Sequence, residues 1–229
     1  RAANYNPLAT SDDGNCNFSC IKRHWANHIS EMNGVYETYF SFVNNDVIIG
    51  FDKASSYLNV LDTVLISNPS QGKSCVISSI NSYGDLNWAI MATDKSFGGG
   101  DAQDNLVMMT SDIKVLNEEI FVPIYAYGSS FSLGGTTISG LVDQGENQLL
   151  VKINKDGNVT QTSTIFSDYD VWDSFGFNID IDANAYLTGS KYSGELKNNS
   201  FTFGSCDPNN GIPCSPYGFV QKLDQNLNH

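Results

Sequence analysis

An all-β fold assembled from a repeated unit is what this sequence predicts, on three observations. Turn formers are dense: 25 Asn and 20 Gly make up nearly a fifth of the 229 residues, with few helix formers in any run. Aromatics form 12% of the chain, and Val, Ile and Thr are frequent, which suits half-buried pleated strands. Two landmarks also recur in order. "NDVIIG" ends at Gly50, "EIFVPI" at Ile124 and "NAYLTG" at Gly189, at separations of 74 and 65. "SCVISSIN", "QLLVKIN" and "YGFVQKLD" then align Ile80, Ile153 and Leu223, at separations of 73 and 70, each followed by Asn or Asp. Such recurrence is the mark of repeat architectures.

The middle unit shows the elements in order. "NWAIMAT" is followed by "DNLVMMTSDI", "EEIFVPIYAYG", "GTTISG" and "QLLVKIN", each read as a short strand. Alternation in "LVKIN" puts Leu150 and Lys152 on one face and Val151 and Ile153 on the other. "NKDGN" between Ile153 and Val159 predicts a hairpin, because Asp-Gly accepts positive φ. Pro123 cannot donate to a ladder, so its strand is expected at an edge or bulged there. About four strands per unit, joined by turns, describe one blade of a β-propeller. The expected blades span about 21–86, 87–159 and 160–229, after a separate segment over 1–20. Units near 70 residues leave room for long loops on each blade. Three blades do not close a ring, so the expectation is a segment of a larger propeller, or a chain that completes its ring with copies of itself.

The last unit resembles the SBBP-type β-propeller repeat, whose pattern runs G-I-x-V-D-x-x-G-N-x-Y-V-T-G and later F-V-x-K-L-[DN]. Asp182, Asn184, Tyr186, Thr188 and Gly189 match, as do Phe219, Val220, Lys222, Leu223 and Asp224. The middle unit departs at Pro123 and Ile124, and the first keeps Gly50 and "ISSIN". The opening stretch is similar to a cysteine motif of secreted and surface proteins of Bacteroidota-like bacteria, through Asn4, Tyr5, Asn6, Pro7, Ala9, Asp12, Asp13, Gly14 and Cys16. In that motif the last Cys pairs with the first. The resemblance therefore implies a Cys16 partner upstream of Arg1, in a chain truncated at that point.

A net charge of −13 and the lack of clustered Lys/Arg argue against nucleic-acid binding and anionic membranes. No apolar run approaches the ~20 residues that cross a bilayer, so membrane insertion is not expected. Cys206 and Cys214 bracket "DPNNGIP", a turn-rich loop that suits a local disulfide. Cys20 and Cys75 flank the first unit and are a second candidate bridge, the rival reading being reduced, buried thiols. Bridges would place the chain outside the cell. Calcium is the candidate cofactor, at Asp12 and Asp13 of "TSDDGNC", against a plain Asx turn. "DIDAN" has the spacing of first calcium ligands but lacks the rest of that loop, so a hairpin turn is favoured. "SDYDVWDS" gathers Asp168, Asp170 and Asp173 near Trp172, a carboxylate group that could grip or cleave a sugar, against the favoured reading of a solvated loop beside a core tryptophan. His24 and His28 lack a third metal ligand.

The expectation is a non-enzymatic, secreted or cell-surface module for adhesion or scaffolding. Its partners would be copies of itself, further blades or surface glycans. Tyr125, Tyr127, Trp172 and Tyr192 are candidate contact aromatics, or else ordinary packing between blades. A carbohydrate-binding propeller is the alternative, and a hydrolase comes third.

Overall fold

The computed structural model describes residues 35–53, 58–60, 63–65, 74–94, 107–141, 146–168, 176–191, 194–195, 202–203 and 217–228. Every regular element among them is a β-strand, and every pairing is antiparallel. The all-β expectation is met.

The first sheet is built on the meander β1 (Val35–Val43), β2 (Asp46–Lys53), β5 (Ser74–Ile80) and β6 (Leu86–Asp94). The second runs from the broken first strand β7 (Val107–Met109) and β8 (Lys114–Leu116), through β9 (Glu119–Tyr127) and β12 (Glu146–Asn154), to β13 (Val159–Asp168). The third is β14 (Gly176–Ile179), β15 (Ala185–Lys191) and β18 (Tyr217–Leu223). Each unit also inserts a two-stranded hairpin between its second and third strands. These are β3 (Leu58–Val60) with β4 (Thr63–Leu65), β10 (Ser130–Leu133) with β11 (Thr136–Ser139), and β16 (Gly194–Glu195) with β17 (Thr202–Phe203). The second hairpin reaches back: β10 pairs with the end of β6 at residues 92–94, which enlarges the first sheet to six strands.

Pairing moves one landmark. Ile77, Leu150 and Val220 are opposite Gly50, Pro123 and Thr188. Phe51, not Gly50, is therefore the equivalent of Ile124 and Gly189. A slip of one residue exchanges the faces of a strand, and the corrected register explains the packing. The pairing also differs from the expected unit boundaries. β6 and β13 join the sheets that precede residues 87 and 160, as their fourth strands.

Pro123 is in a central strand, because β9 pairs with β12 on one side and with β7 and β8 on the other. The expected irregularity lies in its partner instead. The first strand of the second sheet is split between Met109 and Lys114, across from Pro123, whose carbonyl still accepts from Thr110 N at 3.1 Å.

The sheets stack in chain order. Ile48 and Ile77 of the first pack with Ile120, Val122, Ile124, Leu149, Val151 and Ile153 of the second. The opposite face of the second sheet, with Phe121, Leu150 and Ile165, packs on Phe177, Ala185, Leu187, Phe219 and Leu223 of the third. Gly50 sits in the first of these interfaces, where a Cβ would lie 2.6 Å from both Ile113 and Met109. A third cluster, Phe51, Val76 and Met91, lies on the outer face of the first sheet.

Candidate functional site

One kind of turn occurs four times among the described residues, at 81–85, 154–158, 180–184 and 224–228. Its first residue is Asn or Asp, and its side-chain oxygen accepts from the amides of the third and fifth residues. For Asn154 the donors are Asp156 N at 3.1 Å and Asn158 N at 2.9 Å; for Asp224 they are Asn226 N at 2.8 Å and Asn228 N at 2.9 Å. Asn81 and Asp180 repeat the pattern. The fourth residue always has positive φ: Gly84 at 92°, Gly157 at 84°, Ala183 at 63° and Leu227 at 54°. An Asx turn of this sort satisfies local amides without a neighbouring strand. The predicted "NKDGN" hairpin is one of the four. "DIDAN" is another, with Asp180 also accepting from Asn184 Nδ2 at 2.8 Å and Tyr186 Oη at 3.0 Å. Leu227 thus occupies the place of Gly84, and Asn228 that of Asp85.

The sheets exchange polar contacts along this turn-bearing end. Trp88 of β6 donates its indole N–H to Lys155 O at 2.6 Å, and its ring covers Gly157, where a Cβ would lie 2.7 Å away. Asn44, in the β1–β2 turn, donates to Glu118 Oε1 at 3.0 Å, and Glu118 pairs with Lys155 at 2.9 Å. Lys155 hydrogen-bonds Glu118 and holds its carboxyl below the usual range, helped by Asn44. Between the second and third sheets, buried Lys152 binds Glu119 at 2.6 Å, donates to Gln225 O at 3.1 Å and lies 5.4 Å over the Phe121 ring. Gln161 of β13 donates to Asn226 O. Trp88 and Gln161 hold the same place, seven residues after Asn81 and Asn154. In both interfaces an earlier sheet grips the second carbonyl of the next sheet's turn, Lys155 O or Gln225 O.

At the opposite end, Tyr125 and Tyr127 share one face of β9, half-buried, beside Glu146 and Gln148 of β12. Burial, then the charge and hydrogen bond of Glu146, pushes the Tyr125 phenol up. Gln148 donates to Thr110 Oγ1 at 2.6 Å. The structure therefore brings two of the four predicted contact aromatics together. Trp172 and Tyr192 lie outside the described residues, as do Asp12, Asp13, Cys16, Cys20, Cys206, Cys214, His24, His28, Asp170 and Asp173. Only the backbone of Asp168, at the end of β13, is described.

Cys75 is a free, fully buried thiol, and Cys20, its expected bridge partner, lies outside the described residues. It faces the interface with the second sheet, opposite Asp52 in register; burial first, then the Asp52 charge, pushes its pKa up. Asp52 accepts from Met109 N at 2.9 Å.

The polar contacts between sheets were missed in the sequence, although one signal was present. "VKIN" and "QKLD" both place Lys just before the aligned Ile or Leu, which marks Lys152 and Lys222 as equivalents.

No protein-family model matches the chain, and neither a curated protein nor a solved structure matches it.

Proposed function

We propose that this chain is a non-enzymatic module of a secreted or cell-surface protein, built of β-propeller-like blades of the SBBP type and used for adhesion or scaffolding. The observation that carries the reading is the repeated plan of the three sheets. Each is a meander, each packs face to face on the next in chain order, and each sends a hairpin out between its second and third strands. A scaffold of equivalent sheets with a variable insertion at one end suits display of contact loops, as in other repeat architectures. Localisation tests this directly. Antibody labelling of intact source cells, with fractionation, is expected to find the protein outside the cytoplasm. Exclusive recovery from the cytosol would overturn the proposal.

A carbohydrate-binding propeller is the second reading, favoured by Tyr125 and Tyr127 sharing one face beside Glu146 and Gln148. Aromatic faces with neighbouring polar groups suit sugar rings. On a glycan array, this reading expects binding that Tyr127→Ala abolishes. Binding to no glycan would remove it and leave the scaffold reading standing.

A further inference from the structure

The interface between successive sheets is made twice inside the chain, and matching parts of its two halves are exposed on the outward faces of the third and first sheets. On the third sheet, Val220 is the equivalent of Ile77 and Leu150 by register. Those two are fully buried against the sheet that follows them, whereas Val220 is 74% exposed. Lys222 is the equivalent of Lys152, and its ammonium lies 5.5 Å over the Tyr186 ring just as Lys152 lies over Phe121. Lys152 continues to a turn carbonyl of the next sheet; Lys222 stands exposed on the outward face.

The first sheet carries the other half. Phe40 and Phe42 are opposite Ile49 and Val47, and their equivalents in the third sheet are Phe177 and Ile179, opposite Leu187 and Ala185. Phe177 and Ile179 pack on the second sheet, but Phe40 and Phe42 are 67% and 61% exposed, edge to face with each other at 6.1 Å. At the same end, Ser82 is the equivalent of Lys155 and Gln225, the residues whose carbonyls are gripped in the two internal interfaces. Ser82 and its neighbour Tyr83 are exposed. The centre of this outer face, Phe51, Val76 and Met91, is already buried, which confines any contact to the turn-bearing end.

We infer that the outward face of the third sheet docks the first sheet of a second copy of this chain. Val220 meets Phe40 and Phe42, and Lys222 donates to the Ser82 carbonyl, in the manner of Leu150 and Lys152 within one chain. The inference rests on the stacked-repeat reading above and names its partner. Such a contact is heterologous, so it propagates head to tail into a ring or a filament.

Sedimentation velocity at rising concentration tests it. The wild-type chain is expected to self-associate. Val220→Glu and Lys222→Glu damage only the tail half, and Phe42→Glu only the head half. Each is expected to raise the concentration for half-association at least about tenfold, with circular dichroism unchanged because all three positions are exposed. Mixing Lys222→Glu with Phe42→Glu pairs one intact tail with one intact head, and should give species of two copies and nothing larger. Association unaffected by these variants, or a mixture that stays monomeric, overturns this surface. A wild-type chain that is monomeric up to roughly 1 mM, the range of weak contacts, overturns the docking while leaving the stacked repeat intact. The repeat reading fails separately, if hydrogen exchange shows that the internal sheet interfaces are not formed.

Discussion

Asp180 and Asp224 each direct a carboxylate back onto the amides of their own turn, a task that Asn81 and Asn154 perform without charge. The side-chain amide of Asn184 leads in lowering the Asp180 pKa, with backbone amides and the Tyr186 hydroxyl adding to it. The backbone amide of Asn228 leads for Asp224. A carboxylate whose folded pKa lies below its unfolded value of about 3.9 contributes stability that is complete above that value and is lost as pH falls through the folded pKa. The melting temperature is therefore expected to drop in acid below about pH 4. Asp180→Asn and Asp224→Asn should keep the turns, as Asn does elsewhere in the chain, and together flatten that acid limb. Carboxyl titration by NMR, with thermal melts across the acid range, checks this. Asp180 and Asp224 titrating like free aspartate would refute it.

Lys152 belongs to the scale of elements, because it ties β12 to β9 through Glu119 and to the third sheet's turn through Gln225 O. Its side chain is 8% exposed, while Glu119 is 37% exposed, so the ion pair is only partly shielded from water. Removing one member of a buried pair is costly, and this exposure discounts the figure. Lys152→Ala is expected to destabilise by about 1–3 kcal/mol. Lys152→Met should cost less, because it keeps the stem over Phe121. Lys222→Ala, at the equivalent but exposed place, should cost under about 0.5 kcal/mol. Equal losses for Lys152→Ala and Lys222→Ala in denaturant titrations would contradict the clamp. Much at this scale was legible in the sequence. "NKDGN" announces its hairpin through Asp-Gly, and "LVKIN" divides its faces as the structure does, since both signals are local. The Gly50 alignment was one residue out, because a shared glycine is a weaker guide than cross-strand partners. Pro123 disturbs its neighbour rather than its own place in the sheet, which no single-strand pattern reveals. The contacts of Trp88 with Lys155 O, and of Lys152 with Gln225 O, join residues far apart in sequence and become visible only once the sheets are stacked.

At the scale of the whole molecule, the second sheet has a distinct core on each face, with Ile120, Val122 and Ile124 on one side and Phe121 and Leu150 on the other. The first and third sheets are thereby joined chiefly through it. Stability in such an array approximates a sum of unit and neighbour-interface terms, so damage to one interface should stay local. Leu150, fully buried on the face toward the third sheet, is the position at which to show this. Leu150→Asp places an unpaired carboxylate among Phe177, Leu187 and Phe219, which is expected to undock the third sheet. Native-state hydrogen exchange should then show lost protection over residues 176–228. The amides of β2 and β5, two sheets away, should keep most of theirs, because the interface of Ile48 and Ile77 with Val151 and Ile153 is untouched. Ile77→Asp, cutting the other interface, should produce the complementary pattern, with β1, β2 and β5 deprotected and β15 and β18 retained. If either variant deprotects all three sheets in parallel, the chain folds around one indivisible core, and the neighbour-by-neighbour account of its architecture fails.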